Sequence, residues 1–550
     1  MPQSEASSGH ASVAPAPHVV TRGPGGPRSG ARGWARAIRR RVTAEHLTVL
    51  VLALLVLVVH NVGYILNQPY WTDEDWVALT TKFSLSQLPA TTSSTPIGWS
   101  LLLRLVTVSG TQTGRLLPLA FAGAAVVVAY WLARRLEWSR REVSVGAGVL
   151  AAIAVLLVPA MLIRDDLKQY TGDAFFAVLA LTVTSRLERE WSRRGLVLLS
   201  VVTWGGMLFS DTVAFMGAAA FAAVCVVQLV RRSWRRLAEA AVVGAVTAVL
   251  ILGVYKAFDA RAVIPSLTYS PHFGNYYPPL HSGLHAIFTF VHLNIQGETS
   301  HFGLGPVELV AVLFVAGVVT IFLHGRPATA VALAFIWPEM LVLSALRLYP
   351  FLDARTSTFL FAVTAVVAAI GVAGVCSLLR PYLKGALAVG LAVVAVAGFA
   401  VTARPFVRAQ LIPSEDMKSV TLYAAEHVPA NDPILVALDS NFGFAYYWPI
   451  GQPARRADDS IIQEYEAYFP GQPRIVVAGS RTPAGVDAAL TQVLAQSKQR
   501  GCAPIWLIRT HTTPPEEAAY NNWLKARHLL AEGVGPGGLT VVRLNKSVCQ

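Results

Sequence analysis

The run HLTVLVLALLVLVVHNVGYIL at positions 46–66, followed at once by NQPYWTDEDW at 67–76, decides how this chain folds. The first stretch is apolar over about 20 residues, the length that crosses a bilayer. It lies far from the N-terminus and lacks a small-residue cleavage site, which is typical of a retained anchor. The second stretch places three adjacent carboxylates between two tryptophans. The sequence therefore predicts a membrane anchor with a polar site at its outer end.

The composition of the whole chain is that of a polytopic membrane protein. Its 550 residues are 54% hydrophobic and only 14% charged, and the mean hydropathy is +0.50, which is too apolar for a soluble globular protein. The net charge is +13, but the arginines fall in short clusters between apolar runs, which argues against nucleic-acid binding. No Walker loop or dinucleotide-binding glycine motif occurs, so a nucleotide-dependent enzyme or pump is disfavoured.

Apolar runs of roughly 17 to 25 residues predict a bundle of about eleven transmembrane helices. With a cytoplasmic N-terminus, every second connection carries an arginine cluster, as the positive-inside rule requires. The stretch 195–230 is divided near Asp211, because one helix of that length would exceed the bilayer. The predicted segments are 46–66, 113–133, 143–163, 171–187, 195–211, 212–230, 237–256, 306–323, 328–347, 357–379 and 385–403.

The predicted organisation has three parts. Residues 1–42 form a disordered, basic cytoplasmic tail, and residues 43–403 form the all-α membrane bundle, with long outward loops at 67–112 and 257–305. Residues 404–550 form a small extracytoplasmic α/β domain, in which short β-branched runs alternate with helical patterns. The runs are 434–438, 474–477, 504–508 and 539–544, and the helical patterns are 486–498 and 515–531.

Cysteine usage fits this organisation. Cys225 and Cys376 fall inside apolar runs, where a free thiol behaves as a small hydrophobe. Cys502 and Cys549 both fall in the outward domain, where disulfides persist. We therefore expect these two cysteines to form a disulfide.

Ionisable residues gather in three clusters at the outward ends of the predicted helices. Residues 70–76 offer a general base beside aromatic rings that stack a sugar, or else only an interfacial aromatic belt. Residues 164–173 mix cations and acids, which suits phosphate binding or a structural ion-pair network. Residues 347–355 contain two arginines, which either bind a phosphate leaving group or snorkel to the interface.

The outward loop at 257–305 contains five histidines: His272, His281, His285, His292 and His301. Only His285 and His292 lie about two helical turns apart, so a metal site is weakly supported. The alternative is a semi-ordered lid in which an amphipathic stretch at 284–293 lies on the membrane. We predict no metal site built by protein ligands and no certain cofactor, and we leave a divalent-cation requirement open.

Several short segments near these clusters match one known family. They are Trp71-Thr72-Asp73-Glu74, Thr95–Trp99, Leu101–Leu105, Arg115–Pro118, Leu167–Tyr170 with Asp173, Tyr349–Phe351 with Arg355, and in the tail Asp416–Tyr423 and Asp432–Tyr447. With them the sequence resembles the GT-C superfamily, specifically the bacterial protein-mannosyltransferase-like and aminoarabinose-transferase-like membrane glycosyltransferases. The resemblance covers most of residues 46–450.

The resemblance implies an inverting hexosyl or pentosyl transfer from a polyprenyl-phosphate-linked donor to an envelope glycan, lipid or protein at the outer face of the cell membrane. Asp73 would be the general base, and Glu74 would orient it or help a metal. The donor phosphate would bind Arg164, Lys168, Tyr170, Arg347 and Arg355. The remaining substrate contacts would come from Trp71, Asp165, Asp173 and Tyr349.

Two other functions fit the same composition. A lipid or polysaccharide transporter or flippase also needs an apolar bundle, but it is expected to carry charges in mid-span and inverted repeats. Here the charges lie at the outer ends. A sensor with an external α/β domain is the other alternative, although eleven spans exceed what an anchor needs.

Overall fold

The structure is a computed structural model. It describes residues 44–88, 95–158, 167–258, 273–301, 304–353, 355–379, 416–448, 452–455, 466–469 and 471–549, with a few positions between 390 and 401. The predicted tail at 1–42, most of the segment at 385–403, and the candidate residues Arg164 and Asp165 lie outside the described residues. The described residues from Val49 onward belong to one compact unit.

Helices account for most of the first four hundred residues. In chain order they are α1 (Ala44–Val59), α2 (Val62–Asn67), α3 (Thr72–Thr80), α4 (Ile97–Val106), α5 (Leu116–Arg134), α6 (Arg141–Leu157), α7 (Tyr170–Arg189), α8 (Arg193–Ser200), α9 (Val213–Val230), α10 (Trp234–Ala257), α11 (Gly283–His301), α12 (Val307–Leu323), α13 (Pro327–Ala345) and α14 (Thr358–Leu379). Thus the stretches 67–112 and 257–305, expected as loops, contain the helices α3, α4 and α11.

Five of the described helices are long and apolar enough to cross a membrane. They are Thr113–Arg134, Val213–Val230, Trp234–Ala257, Pro327–Ala345 and Thr358–Leu379. The first ten predicted segments each overlap helical residues, although 46–66 is divided between α1 and α2. The division of 195–230 is confirmed, because the helical path breaks before Val213. The total of eleven crossings stays a prediction.

Small residues let the membrane helices approach closely. A Cβ on Gly317 of α12 would lie 2.0 Å from the carbonyl oxygen of Val367 on α14. A Cβ on Gly371 of α14 would lie 2.1 Å from the carbonyl oxygen of Leu313. Because lipid tails are as apolar as these helices, such close backbone packing, and not the hydrophobic effect, holds the pair together.

The C-terminal segment is the expected α/β structure. Its elements are α15 (Met417–His427), β1 (Ile434–Val436), α16 (Ser440–Tyr447), β2 (Gln452–Arg455), β3 (Glu466–Tyr468), β4 (Ile475–Val477), α17 (Pro483–Gln499), β5 (Ile505–Ile508), α18 (Pro514–Ala526), β6 (Ala531–Gly533), β7 (Leu539–Val542) and α19 (Lys546–Cys549). Five strands form one sheet in the order β4-β1-β5-β7-β6, and β2 pairs with β3. Strands β4, β1 and β5 are parallel, whereas β7 runs antiparallel to β5 and β6.

The two faces of the sheet bury different partners. Leu435, Val476 and Leu507 pack with α17 and α18, whereas Ile434, Val436 and Ile508 point to the other face, as the two-residue period of a strand requires. The disulfide between Cys502 and Cys549 is confirmed, with its Cα atoms 5.9 Å apart.

The second face of the sheet shares one hydrophobic core with the segment that follows α2. Tyr70, Val77 and Trp99 belong to the same buried cluster as Val436 and Phe442. This continuity was not apparent from the sequence. It means that the α/β structure packs directly onto the residues that carry the candidate site.

Polar contacts fix this packing. The Tyr447 hydroxyl accepts bonds from the backbone N–H of Tyr70 at 3.1 Å and from Nε2 of Gln112 at 3.1 Å. The amine of Lys82 donates to the carbonyl oxygens of Ala445 and Tyr446 at 2.9 and 2.6 Å. These carbonyls belong to the last turn of α16, where a cation is favourable.

A buried ion pair holds the start of α3 against the bundle. Arg115 and Glu74 have side-chain exposures of 3% and 0%, and Nε of Arg115 donates to Glu74 Oε1 at 2.8 Å. The same guanidinium donates to the carbonyl oxygens of Ile65, Gln68 and Pro69 at 2.6, 2.8 and 3.0 Å. The Arg115 side chain thus donates hydrogen bonds both to the carbonyl oxygens at the end of α2 and to the Glu74 carboxylate in the first turn of α3.

We predict that Arg115→Met strongly destabilises the protein, because it leaves the Glu74 carboxylate buried without its cation. The cost of breaking such a pair is about 3–5 kcal/mol. Thermal unfolding in detergent should show a much lower midpoint, and Glu74→Met/Arg115→Met should recover part of the loss. Arg140→Met, which changes an exposed arginine, is the control. Equal midpoints for wild type and Arg115→Met would contradict this role.

We predict that Gly443→Ala loosens the packing of α16 on α3. An added Cβ would lie 2.4 Å from Oδ2 of Asp75 and 2.6 Å from Cβ of Met417. Alanine usually stabilises a helix relative to glycine by about 1 kcal/mol, so a lower unfolding midpoint would report the clash. Gly253→Ala in α10, where nothing lies within 4 Å of the added Cβ, is the matched helical control. A raised midpoint for Gly443→Ala would refute the contact.

Candidate active site

The three adjacent acids at the start of α3 point in three directions. Successive helical residues are rotated by about 100°. Asp73 faces the membrane bundle, Glu74 lies underneath against Arg115, and Asp75 lies next to Gly443 of α16. Only Asp73 keeps appreciable exposure, with 23% of its side chain accessible. The carboxylate that can meet a ligand is therefore Asp73.

Asp73 lies between two cations from distant parts of the chain. Nζ of Lys168 is 3.4 Å from Asp73 Oδ2, and Nη2 of Arg355 donates to the same oxygen. Burial opposes ionisation of this carboxyl, but the charges and hydrogen bonds of Lys168 and Arg355 prevail and hold its pKa well below the usual range. Asp73 is thus a carboxylate at neutral pH, paired with an excess of positive charge.

Aromatic rings line the same cluster. The Arg355 guanidinium lies 5.0 Å from the centre of the Trp71 ring and 5.8 Å from that of Tyr170. Nζ of Lys168 lies 5.4 Å from the centre of the Trp76 ring. Two cations and three rings therefore surround one carboxylate, a combination that suits a phosphorylated sugar.

Neighbouring backbone contacts position the two cations. Lys168 precedes α7, and the carbonyl of the adjacent Leu167 accepts a 2.7 Å bond from the indole of Trp99. Arg355 precedes α14, and its carbonyl accepts a 2.9 Å bond from the hydroxyl of Thr358. Each cation is thus held by a helix start, while Trp99 brings α4 into the same arrangement.

A second polar group lies one turn along α7. Asp173 is only 1% exposed, and the hydroxyls of Ser210 and Thr212 lie beside its carboxyl. Gln169 donates to Asp211 at 3.5 Å. Ser210, Asp211 and Thr212 lie in the break between α8 and α9. In the sequence this break is visible as a polar interruption of a long apolar run.

The other candidate residues take different positions. Tyr349 packs edge-on against Phe215, with ring centres 5.0 Å apart, and donates to the carbonyl of Thr356 at 2.8 Å. Arg347 is exposed and lies 5.9 Å from the centre of the Tyr277 ring. Within the described residues, no ion pair or hydrogen bond joins Arg347 to the Asp73 cluster.

The sequence analysis did not include Trp76, Arg115 or Asp211 among the site residues. Trp76 lies in the stretch 67–76 and Arg115 in the motif Arg115–Pro118. The sequence therefore contained both residues in recognised segments but did not show which residues they contact. Among the described residues, no group of three or more His, Cys, Asp or Glu side chains is arranged to hold a metal ion. A cation requirement therefore stays open.

Comparison with solved structures gives the fold. The crystal structure of ArnT from Cupriavidus metallidurans in the apo state matches with a TM-score of 0.53 and 13% identity, over 92% of this chain and 99% of that chain. The structure of ArnT from the same organism bound to undecaprenyl phosphate matches with a TM-score of 0.49 and 14% identity. This match covers 94% of this chain and 99% of that chain.

A third match is the archaeal oligosaccharyltransferase AglB from Archaeoglobus fulgidus in complex with an inhibitory peptide and a dolichol-phosphate. Its TM-score is 0.49 at 14% identity, over 84% of this chain and 69% of that chain. No family model and no curated protein matches the sequence. At these identities the likeness to apo ArnT establishes the fold alone. The chain therefore has the fold seen in ArnT, a fold built around membrane-spanning helices.

Proposed function

We propose that this protein is a glycosyltransferase that moves a sugar from a polyprenyl-phosphate-linked donor to an acceptor hydroxyl on the outer face of the cell membrane. The observation that carries the proposal is the carboxylate of Asp73 held between Lys168 and Arg355. Such a set contains a base for an acceptor and two cations for a phosphate leaving group. The acceptor belongs to the envelope glycans, lipids or proteins.

In the proposed reaction, Asp73 takes the proton of the acceptor hydroxyl while its oxygen attacks the anomeric carbon. The bond between that carbon and the phosphate oxygen breaks, and its electron pair leaves with the polyprenyl phosphate. Attack from the side opposite the leaving group inverts the anomeric centre. Lys168 and Arg355 neutralise the charge that develops on the phosphate, which is commonly the largest electrostatic contribution to such transfers.

The two cations also explain how Asp73 becomes a competent base. Paired with both, its lowered pKa makes it a weak proton acceptor. A donor phosphate competes for Lys168 and Arg355, because both cations bind phosphate oxygens well. As they turn toward the phosphate, the pKa of Asp73 rises toward its ordinary value. Base strength therefore increases only when the donor is present.

The aromatic residues fit a sugar-binding role. Trp71, Trp76 and Tyr170 present ring faces that lie within 6 Å of the two cations. We propose that Trp71 and Tyr170 contact the sugar and the phosphate of the donor. Trp76 would contribute a third ring to the same binding surface. Asp173 and Tyr349 shape the wall below them.

Glu74 is assigned a positioning role. Its carboxylate is fully buried and bound by Arg115, so it does not touch substrate and acts by orienting α3. Arg347 is assigned to the exposed rim, where it would meet the donor late or only guide it. Arg164 and Asp165 keep their proposed roles in donor binding without structural support, because they lie outside the described residues.

An apolar cavity suits the polyprenyl chain. A cavity of about 590 Å³ runs along α14 and is lined by Ile153, Pro306, Val310, Ala365, Val372 and Leu379, among other residues. Its first lining residue on α14 is Ala365, which lies about 10 Å from Thr358 along the helix, at a rise of roughly 1.5 Å per residue. A lipid tail in this groove would leave its phosphate near Arg355.

The proposed orientation places the N-terminus in the cytoplasm and the α/β structure outside. Arginine-rich connections lie at the end of the bundle away from Asp73, as the positive-inside rule predicts. The disulfide between Cys502 and Cys549 fits an oxidising, extracytoplasmic location.

We predict that Asp73→Asn lowers the transfer rate by about 10²-fold or more, the usual contribution of a general base. Its apparent affinity for the donor should be unchanged or higher, because Lys168 and Arg355 no longer share a carboxylate. Initial rates with a radiolabelled polyprenyl-phosphate sugar, and without nucleotide sugars, would measure both quantities.

Glu308→Gln is the matched control, since it neutralises an exposed acid at the same end of the bundle. Wild-type transfer by Asp73→Asn would exclude the assigned base. Movement of the lipid-linked sugar across vesicles without any transfer would instead favour a transporter.

A further inference from the structure

A second polar cavity lies at the end of the bundle opposite Asp73. Its volume is about 280 Å³, and it opens where α5 and α7 end and α13 begins. Because α7 runs from Tyr170 to Arg189, the rise of a helix separates this cavity from the Asp73 cluster by roughly 30 Å. It is therefore not part of the proposed donor site.

Positive charge dominates this cavity. Its charged lining residues are Arg135, Arg186, Arg189, Glu190 and Arg326. Glu190 pairs with Arg189 at 3.2 Å, and Glu137 pairs with Arg326 at 3.0 Å. Arg135 and Arg186 form no ion pair within the described residues.

Nearby acids offset this charge only in part. Glu188 caps the start of α13, because its carboxylate accepts hydrogen bonds from the backbone N–H and the hydroxyl of Thr329 at 2.9 and 2.8 Å. Arg134 donates to the hydroxyl of Ser144. Partial desolvation, together with the charges of Arg186 and Arg189, lowers the pKa of Arg135. The rim thus carries repelling cations that an anion would stabilise.

The floor of the cavity contains a buried donor without an acceptor. Arg326 is 3% exposed, and its Nε has no hydrogen-bond partner. Its Nη1 donates to the carbonyl of Gly325 and its Nη2 to Glu137, so Nε is the remaining donor group. Leaving such a donor unsatisfied costs free energy unless a ligand accepts from it.

Stabilisation of helix ends does not account for these features. Arg186 and Arg189 occupy the last turn of α7, where cations offset the helix dipole. Arg326, however, precedes the N-terminus of α13, where a cation is unfavourable. An anion close to the Arg326 guanidinium would offset that disadvantage.

We propose that this cavity binds a phosphate group, presented either by an anionic lipid headgroup or as free phosphate. A tetrahedral anion offers several acceptor oxygens to the planar guanidinium forks. The hydroxyls of Thr182 and Ser185 also line the cavity. Trp131 lies 5.2 Å from the Arg135 guanidinium, as expected at the level of lipid headgroups. Basic pockets between transmembrane helices commonly hold such headgroups.

The test compares the full-length wild type with Arg135→Gln/Arg186→Gln. Arg140→Gln/Arg141→Gln is the matched control, because it removes the same charge from exposed residues that do not line the cavity. One arm measures phosphatidylglycerol and phosphatidylcholine adducts by native mass spectrometry. The other measures the unfolding midpoint with inorganic phosphate against chloride at equal ionic strength.

We expect the wild type and the control to bind in at least one arm, and Arg135→Gln/Arg186→Gln to bind about tenfold more weakly or worse, since each lost charge-assisted bond is worth roughly such a factor. Loss confined to phosphatidylglycerol identifies a lipid headgroup, and loss confined to inorganic phosphate identifies the free anion. Equal binding by the cavity variant and the control in both arms, or no binding in either, would overturn the proposal.

Discussion

The buried pair of Arg115 and Glu74 is the contact on which the outer end of this molecule depends. It joins the end of α2, the start of α3 and the start of α5 through one guanidinium. Once Glu74 is fixed underneath, the helical rotation places Asp73 toward the bundle and Asp75 toward the α/β structure. One ion pair thereby directs three adjacent acids into three different surroundings: Asp73 meets Lys168 and Arg355, Glu74 meets Arg115, and Asp75 meets α16.

The same constraint explains why the α/β structure packs where it does. Asp75, Trp76 and Lys82 extend along α3 and just beyond it toward α16, where Trp76 lies 6.1 Å from Phe442 between ring centres. Tyr447 ties that helix to Tyr70 and Gln112. The sheet therefore supports the reverse side of the helix whose front carries Asp73. A change in the α/β structure is expected to reach the site through α3, without touching a ligand.

Local patterns predicted much of the fold, because apolar run length and β-branched alternation depend on neighbouring residues alone. The strands near Ile434, Ile475, Ile505 and Leu539 follow from such patterns, whereas the disulfide between Cys502 and Cys549 was expected from the outward location of both cysteines. The partners of the three acids do not, since Lys168 and Arg355 are separated from Asp73 by long stretches of chain. Sequence motifs brought Asp73, Lys168 and Arg355 into one hypothesis, but only tertiary packing distinguishes Asp73 from Glu74 and Asp75.

If polyprenyl phosphate is the leaving group and Asp73 the base, a single turnover releases two products that can be measured together. Purified protein would be mixed with a synthetic polyprenyl-phosphate sugar and envelope acceptors, without nucleotide sugars or any second enzyme. We expect free polyprenyl phosphate and the glycosylated acceptor to appear in equal amounts, with the anomeric centre inverted. Release of polyprenyl phosphate without a glycosylated acceptor, or retention of the anomeric configuration, would contradict this mechanism.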